Sequence, residues 1–163
     1  MYCIDTSSLL EWWILRYPPS TFPSLRDRIE GLISSGRLVT SEFVVQELGV
    51  KGDELFDWAK AQTSFSISTS QEVANEMASI VARFPAWWIQ ARKRTKADPF
   101  LIALAKTQGL TVVSQETLAA AKKRPRRQGG TYIPDVCAAM NIPCINIPCI
   151  TFLEMMQREG WTF

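Results

Sequence analysis

The 163-residue chain contains no histidine. That absence removes Ser-His-Asp and Cys-His catalysis and deprives the usual structural zinc sets of their nitrogen ligand. The four cysteines, Cys3, Cys137, Cys144 and Cys149, form no C-x-x-C pair, so buried reduced thiols are expected and a zinc site is not. There is no G-x-G-x-x-G, which argues against a dinucleotide-binding enzyme. Neither charge sign dominates, with a net charge of only +2. No basic segment precedes the first apolar stretch, and Asp5 and Glu11 interrupt it, so it does not read as a signal peptide. The charge-free run "VCAAMNIPCINIPCITFL" over 136–153 is broken by Asn141, Pro143, Asn146 and Pro148, which predicts buried core elements and no membrane span. A cytoplasmic protein with one domain over 1–163 is expected. Any hydrolytic chemistry has to rest on carboxylates, lysine, hydroxyls or a metal.

Short apolar strands alternate with helical segments along the chain. "YCID" is followed by the capping residues Thr6, Ser7 and Ser8 and by "LLEWWILRY", a helix stopped by Pro18 and Pro19. A helix from Pro23 to Gly36 leads to the strand "RLVT", and Ser41 opens the helix "SEFVVQELG". "DELFDWAKAQ" predicts a helix, "FSIST" a strand, and "SQEVANEMASIVARF" an amphipathic helix begun by Ser70. In "KADPFLIALAKTQGLTVVS", Asp98 is read as N-cap, Pro99 as N1 and Gly109 as C-cap, ahead of a β-branched strand. "ETLAAAKKR" and "PDVCAAMN" predict helices, "IPCINI" a strand, and Thr151 with Glu154 a capping box for the last helix. This alternation implies β-α-β crossovers, hence a three-layer α/β/α sandwich with a mostly parallel sheet and "YCID" at its centre. Function in such sheets lies beyond the carboxyl ends of the strands, where Asp5 ends its strand.

A carboxylate at the edge of a core costs several kcal/mol unless it is paired, hydrogen-bonded or holding a cation. Three further acids have addresses compatible with the rim of Asp5: Glu47 after "RLVT", Asp98 before "LTVVS", and Glu116 just past that strand. Two carboxylates ~5 Å apart repel by about 3 kcal/mol at an effective dielectric of ~20, so a convergent cluster needs a cation or raised pKa values. Oxygen-only ligands select Mg²⁺ or Mn²⁺, which polarise a phosphoryl oxygen and acidify a bound water. Each acid also has an ordinary role open to it: a helix cap for Asp98, a solvated helix face for Glu47 as for Glu42, and a capped strand-to-helix turn for Asp5.

These residues resemble a known family. "CIDTSSLL", "FVVQEL" and "ADPFLIALA" are similar, in order, to the three opening motifs of PIN-domain ribonucleases, and "VVSQE" is similar to their fourth acidic position, where aspartate is commoner than the Glu116 found here. Tryptophan before the third motif and "IPDVC" at 133–137 resemble a little-characterised branch of that family. The resemblance implies a sheet ordered 3-2-1-4-5 and Mg²⁺- or Mn²⁺-dependent endoribonuclease activity leaving 5′-phosphate and 3′-hydroxyl ends. By position it implies Asp5, Glu47 and Asp98 as metal ligands or their close supports, Glu116 as the fourth catalytic acid with Asp135 as its competitor, and Thr6 and Ser114 as supporting hydroxyls. Asp135 has its own ordinary reading as an acid in the first turn of a helix after Pro134. Many small members are toxins of toxin-antitoxin pairs, so a homodimer and an antitoxin partner are further implications.

The charge is unevenly divided. Arg92 to Arg127 carries ten bases against Asp98 and Glu116, while the rest of the chain has eight bases and fourteen acids. Arg92, Lys93, Arg94 and Lys96 precede one candidate ligand, and Lys122, Lys123, Arg124, Arg126 and Arg127 follow another, as a polyanionic RNA substrate requires beside an acidic centre. A solvated basic face is the plainer alternative. The pairs in "EWWILRY" and "FPAWWIQ" cannot both face one core stripe, which leaves one tryptophan of each for an interface, a stacked base or core packing. Two other functions compete: a PIN module that binds RNA or protein without cleaving it, and an aspartate-nucleophile phosphatase or receiver domain. The last is disfavoured because Ser7 stands where a second aspartate is needed.

Overall fold

β1 (Tyr2–Ile4) is buried at every position and flanked by strands on both sides, β2 (Leu38–Ser41) and β4 (Thr111–Val113). The structure, a computed structural model, describes residues 1–50, 53–94, 97–121, 131–141 and 151–162, with backbone alone at 90–94 and 151. β3 (Ser66–Ile67) completes a four-stranded, all-parallel sheet ordered β3-β2-β1-β4. This is an α/β fold with helices on both faces, as the alternation of strands and helices predicts. The order agrees with the first four positions of 3-2-1-4-5; the fifth strand, expected over "IPCINI", falls on 142–147, outside the described residues.

Alternate β1 side chains reach opposite layers, as the period of a strand requires. The Tyr2 hydroxyl donates to Glu159 at 2.8 Å, just past α9 (Thr151–Arg158), whereas the Cys3 thiol lies 3.8 Å from the Leu101 carbonyl of α7 (Ala97–Thr107). On the α7 side, α3 (Glu42–Leu48) and α5 (Gln71–Arg83) pack against that helix. α7 is apolar nearly all round, with Leu101 through Ala105 buried, which fits a helix enclosed between a sheet and its neighbours. Gly109, at φ +62°, turns the chain into β4, so α7 runs antiparallel to the strand it feeds and starts at the carboxyl rim. On the other face, α2 (Pro23–Ser34) covers β2 and α9 covers β4.

Four local readings change. After α1 (Thr6–Leu10), the segment Glu11–Arg16 is a π-helix, and its i→i+5 spacing brings the Glu11 carboxylate 2.8 Å from Arg16. Trp12 is driven into the core against Trp58 of α4 (Glu54–Ala61) and Phe152, and Trp13 covers it edge-on. Pro85–Arg94 is a further helix, α6, whose sequence has little apolar periodicity to announce it; Trp87 is buried and Trp88 half-buried. Asp98 lies inside the first turn of α7 rather than before it. After Ser114 only a 3₁₀ turn, Ala119–Ala121, forms among the described residues, because the N–H groups of Gln115, Glu116 and Ala119 are taken by side chains. α8 (Ile133–Ala139) follows. The side chain of Thr151 is not described, so its capping box is outside the described atoms. Cys3 and Cys137 are buried; Cys144 and Cys149 lie outside the described residues. Among the described residues no helix is long and apolar enough to cross a membrane.

Trp12 is fully buried and Ile14 is 50% exposed. Trp12→Ala is expected to cost about 3–5 kcal/mol in urea unfolding, and Ile14→Ala no more than about 0.5 kcal/mol. Trp12→Phe falls between them, because the Nε1–H it removes has no hydrogen-bond partner among the described residues.

Candidate active site

The register that pairs Ile4 with Val113 puts Asp5 beside Ser114 at the carboxyl rim, and the pairing of Cys3 with Val39 sets Thr40 level with Ile4. The Asp5 N–H donates to the Val113 carbonyl at 2.9 Å, and the Thr40 hydroxyl donates to the Ile4 carbonyl at 2.6 Å. The Asp5 backbone is extended and α1 begins at the next residue, so its side chain serves as the N-cap. At 4% exposure its carboxylate is nearly sealed from water.

Three donors converge on Asp5 Oδ2: the Ser7 N–H at 3.2 Å, the Ser7 hydroxyl at 2.5 Å and the Ser114 hydroxyl at 3.1 Å. Each hydroxyl also accepts a backbone N–H, Ser7 Oγ from Gln115 at 2.9 Å and Ser114 Oγ from Glu116 at 3.1 Å, which leaves its proton for the carboxylate or the neighbouring serine. Burial pushes the Asp5 carboxyl above the ordinary carboxylate range, against these hydrogen bonds, which favour the anion. Ser7 is the residue that sequence reasoning undervalued, as a helix starter only. Its available signal was its place two residues after a capping aspartate, where Asx-type hydrogen bonds form.

Glu47 lies on α3, whose start is secured by the Ser41 N-cap and by Glu42, the acceptor for Thr69 N–H at 2.6 Å. Glu42 is thus a structural tie and not a solvated face. Glu47 Oε2 accepts from the Thr6 hydroxyl at 2.8 Å, which joins α3 to the residue beside Asp5. Its carboxyl is pushed up to about 7, chiefly by burial, with the Asp5 charge adding to the rise and Thr6 opposing it. Among the described residues neither Asp5 nor Glu47 forms an ion pair.

The remaining predicted residues are distributed as follows. Asp98, in the first turn of α7, shares the rim. Glu116 Oε2 accepts from Ile133 N–H at 2.8 Å, and Asp135 accepts from Tyr132 N–H at 2.9 Å and from Ala119 N–H, so both carboxylates are engaged around the start of α8. Among the described residues no three acidic or thiol side chains are grouped closely enough to hold a metal ion. Asp5 and Glu47 are therefore brought together, while Glu116 and Asp135 are tied to backbone groups. Arg92, Lys93 and Arg94 fall in α6, but their side chains are not described; Lys96, Lys122, Lys123, Arg124, Arg126 and Arg127 lie outside the described residues. A cleft of about 350 Å³ beside Trp13, Pro18 and Arg26 includes none of the predicted site acids.

The donors brought together are two carboxylates, oxygen ligands of the kind a hard divalent cation takes, with no third acid grouped with them among the described residues. Mg²⁺ is commonly held by one or two carboxylates, with water and substrate phosphate completing its shell, and the coupled pair of Asp5 and Glu47 supplies oxygen of that kind. Fold and rim together define an α/β domain with an acid-bearing carboxyl edge. A family model for a domain of unknown function, DUF4411, matches residues 2–163, and the chain belongs to that family. No curated protein matches it.

The raised Glu47 pKa fixes the sign of a pH dependence. Between the unfolded value of about 4.3 and the folded value of about 7, the native state holds more protons than the unfolded chain, so stability falls as pH rises through that window. In the presence of a chelator, Glu47→Gln is expected to flatten this slope. Allowing for the partial exposure of the group, it should be more stable than wild type by roughly 1–2 kcal/mol near pH ~8 and equal to it near pH ~4, as read by thermal unfolding.

Proposed function

We propose that this protein is a Mg²⁺- or Mn²⁺-dependent endoribonuclease of the PIN type. The observation that carries the reading is a sealed, hydroxyl-cradled Asp5 at the end of the central strand, electrostatically coupled to a desolvated Glu47, with no ion pair on either among the described residues. Such a pair loses its mutual repulsion when a cation is shared. The parallel sheet, its 3-2-1-4 order and the position of Asp98 at the same rim support the same reading.

In this reading Asp5 and Glu47 hold the cation, Asp98 completes or supports the set, and Glu116 is the fourth acid. The cation, when bound, supplies Lewis-acid polarisation of the phosphodiester and a water of lowered pKa. The protein's own residues hold the carboxylates in place: Ser7 and Ser114 fix one oxygen of Asp5, and Thr6 fixes one of Glu47. The basic residues between Arg92 and Arg127 attract the RNA backbone that the acids alone would repel. The PIN likeness adds a homodimer, an antitoxin partner and a cytoplasmic setting. A second reading, a module that binds RNA or protein without cleavage, is favoured by the absence of a three-acid group among the described residues and by the engagement of Glu116 with Ile133.

Purified protein incubated with single-stranded RNA and Mn²⁺ separates the two. Asp5→Asn, Glu47→Gln and Asp98→Asn are each expected to reduce cleavage by roughly 100-fold or more, and chelation to abolish it. Equal cleavage by wild type and all three variants would mean a contaminating nuclease and end the proposal. RNA affinity is also expected to fall steeply with added salt; affinity indifferent to ionic strength would remove the basic segments from the binding surface.

A further inference from the structure

Phe43 and Phe100 stack on each other with ring centroids 3.9 Å apart and planes 23° from parallel. Both stand at the carboxyl rim. Phe43 is in the first turn of α3, two residues after the Ser41 cap that ends β2, and Phe100 is in the first turn of α7, two residues after Asp98. On α3, Phe43 and Glu47 are four residues apart and so share a helix face. The stacked rings therefore stand one helical turn from Glu47 on α3, and on α7 Phe100 is two residues from Asp98, a spacing that turns the two side chains to different sides of the helix.

Their burial is unlike that of their neighbours. Leu101, Ile102, Ala103, Leu104 and Ala105, which follow Phe100, are all buried, whereas Phe100 and Phe43 are only half-buried. Phe43 packs against the core; Phe100 lies over Phe43. The molecule thus keeps a large flat ring partly in solvent, stacked on a residue one turn of α3 from Glu47, where a core contact would be served by an aliphatic side chain.

We infer that the Phe43–Phe100 pair is a stacking platform for one base of a single-stranded nucleic acid whose neighbouring phosphodiester lies at the acids. This rests on the nuclease reading and adds a positioning and selecting role for Phe100. A phenyl ring offers no hydrogen-bond donor or acceptor, so the platform tolerates any base. It does require an unstacked one: a base inside a duplex has both faces covered, and so the pair discriminates single strands from double strands.

The test uses Phe100→Leu, which keeps an apolar side chain on α7 but loses the ring, and Phe100→Tyr, which keeps the ring. Anisotropy of a fluorescein-labelled oligouridine and of an RNA hairpin stem is measured with Ca²⁺, and cleavage of the oligouridine with Mn²⁺. Phe100→Leu is expected to weaken oligouridine binding by roughly tenfold or more, Phe100→Tyr to bind near the wild-type level, and stem affinity to be unchanged in both. Unfolding midpoints of the two variants report whether the fold is kept. Equal oligouridine affinity of wild type and Phe100→Leu, or parallel losses for oligouridine and stem, would overturn the platform. If wild type cleaves RNA while Phe100→Leu binds as well as wild type, the platform fails and the nuclease reading stands. If wild type binds oligouridine in a Phe100-dependent way but cleaves nothing, the nuclease reading fails and the platform stands. No binding of either RNA by wild type would overturn both.

Discussion

The convergence of two serine hydroxyls and a backbone N–H on one oxygen of Asp5 is the contact on which the rest of the site depends. Ser7 comes from the helix after β1 and Ser114 from the end of β4, two segments separated by more than half the chain. Their meeting point exists only because β1 and β4 lie parallel and in register. Each hydroxyl accepts from a backbone N–H beyond β4, so the hydrogen-bond network that holds the carboxylate also shapes the chain after Ser114. Removing one member would leave a buried polar group without its partner, the costly direction for such a network.

That network only partly offsets the burial of Asp5, and the residual tension passes to Glu47. Thr6 sits beside Asp5 in sequence and donates to Glu47, so the two acids are held near each other by a single turn of chain. Both carboxyls are raised above their ordinary range, Glu47 to about 7. A structure built for stability alone would neutralise such a pair with a basic side chain, or replace it with apolar residues of similar volume. Among the described residues it does neither, and carboxyls perturbed in this way mark a candidate functional site.

Much of this was legible in the sequence because the signals agreed with one another. Asp-Thr-Ser after an apolar tetrapeptide, Ser41 before "EFVVQEL" and Gly109 before "LTVVS" each mark a strand-helix junction, and together they fix the parallel sheet, its central strand and the rim. The π-helix was not legible, because Glu11–Arg16 has an ordinary helix-forming composition and the driver is the fit of Trp12 among Trp58 and Phe152. The segment after Ser114 departs from expectation because "ETLAAA" has high helix propensity, yet Glu116 N–H is taken by the adjacent Ser114 and Ala119 N–H by Asp135 from farther along the chain. For the same reason Glu116 looked like a free rim acid, and its tie to Ile133 could be seen only in three dimensions.

Proton release on cation binding tests the central claim most directly. Titrating the chelated, metal-free protein with Mn²⁺ by calorimetry near pH ~6, in buffers of different ionisation enthalpy, should show about one proton or more released per ion, because the raised carboxyls must ionise to take the cation. Glu47→Gln should release fewer protons and bind more weakly. Binding without proton release, or binding as tight in Asp5→Asn as in wild type, would contradict the account.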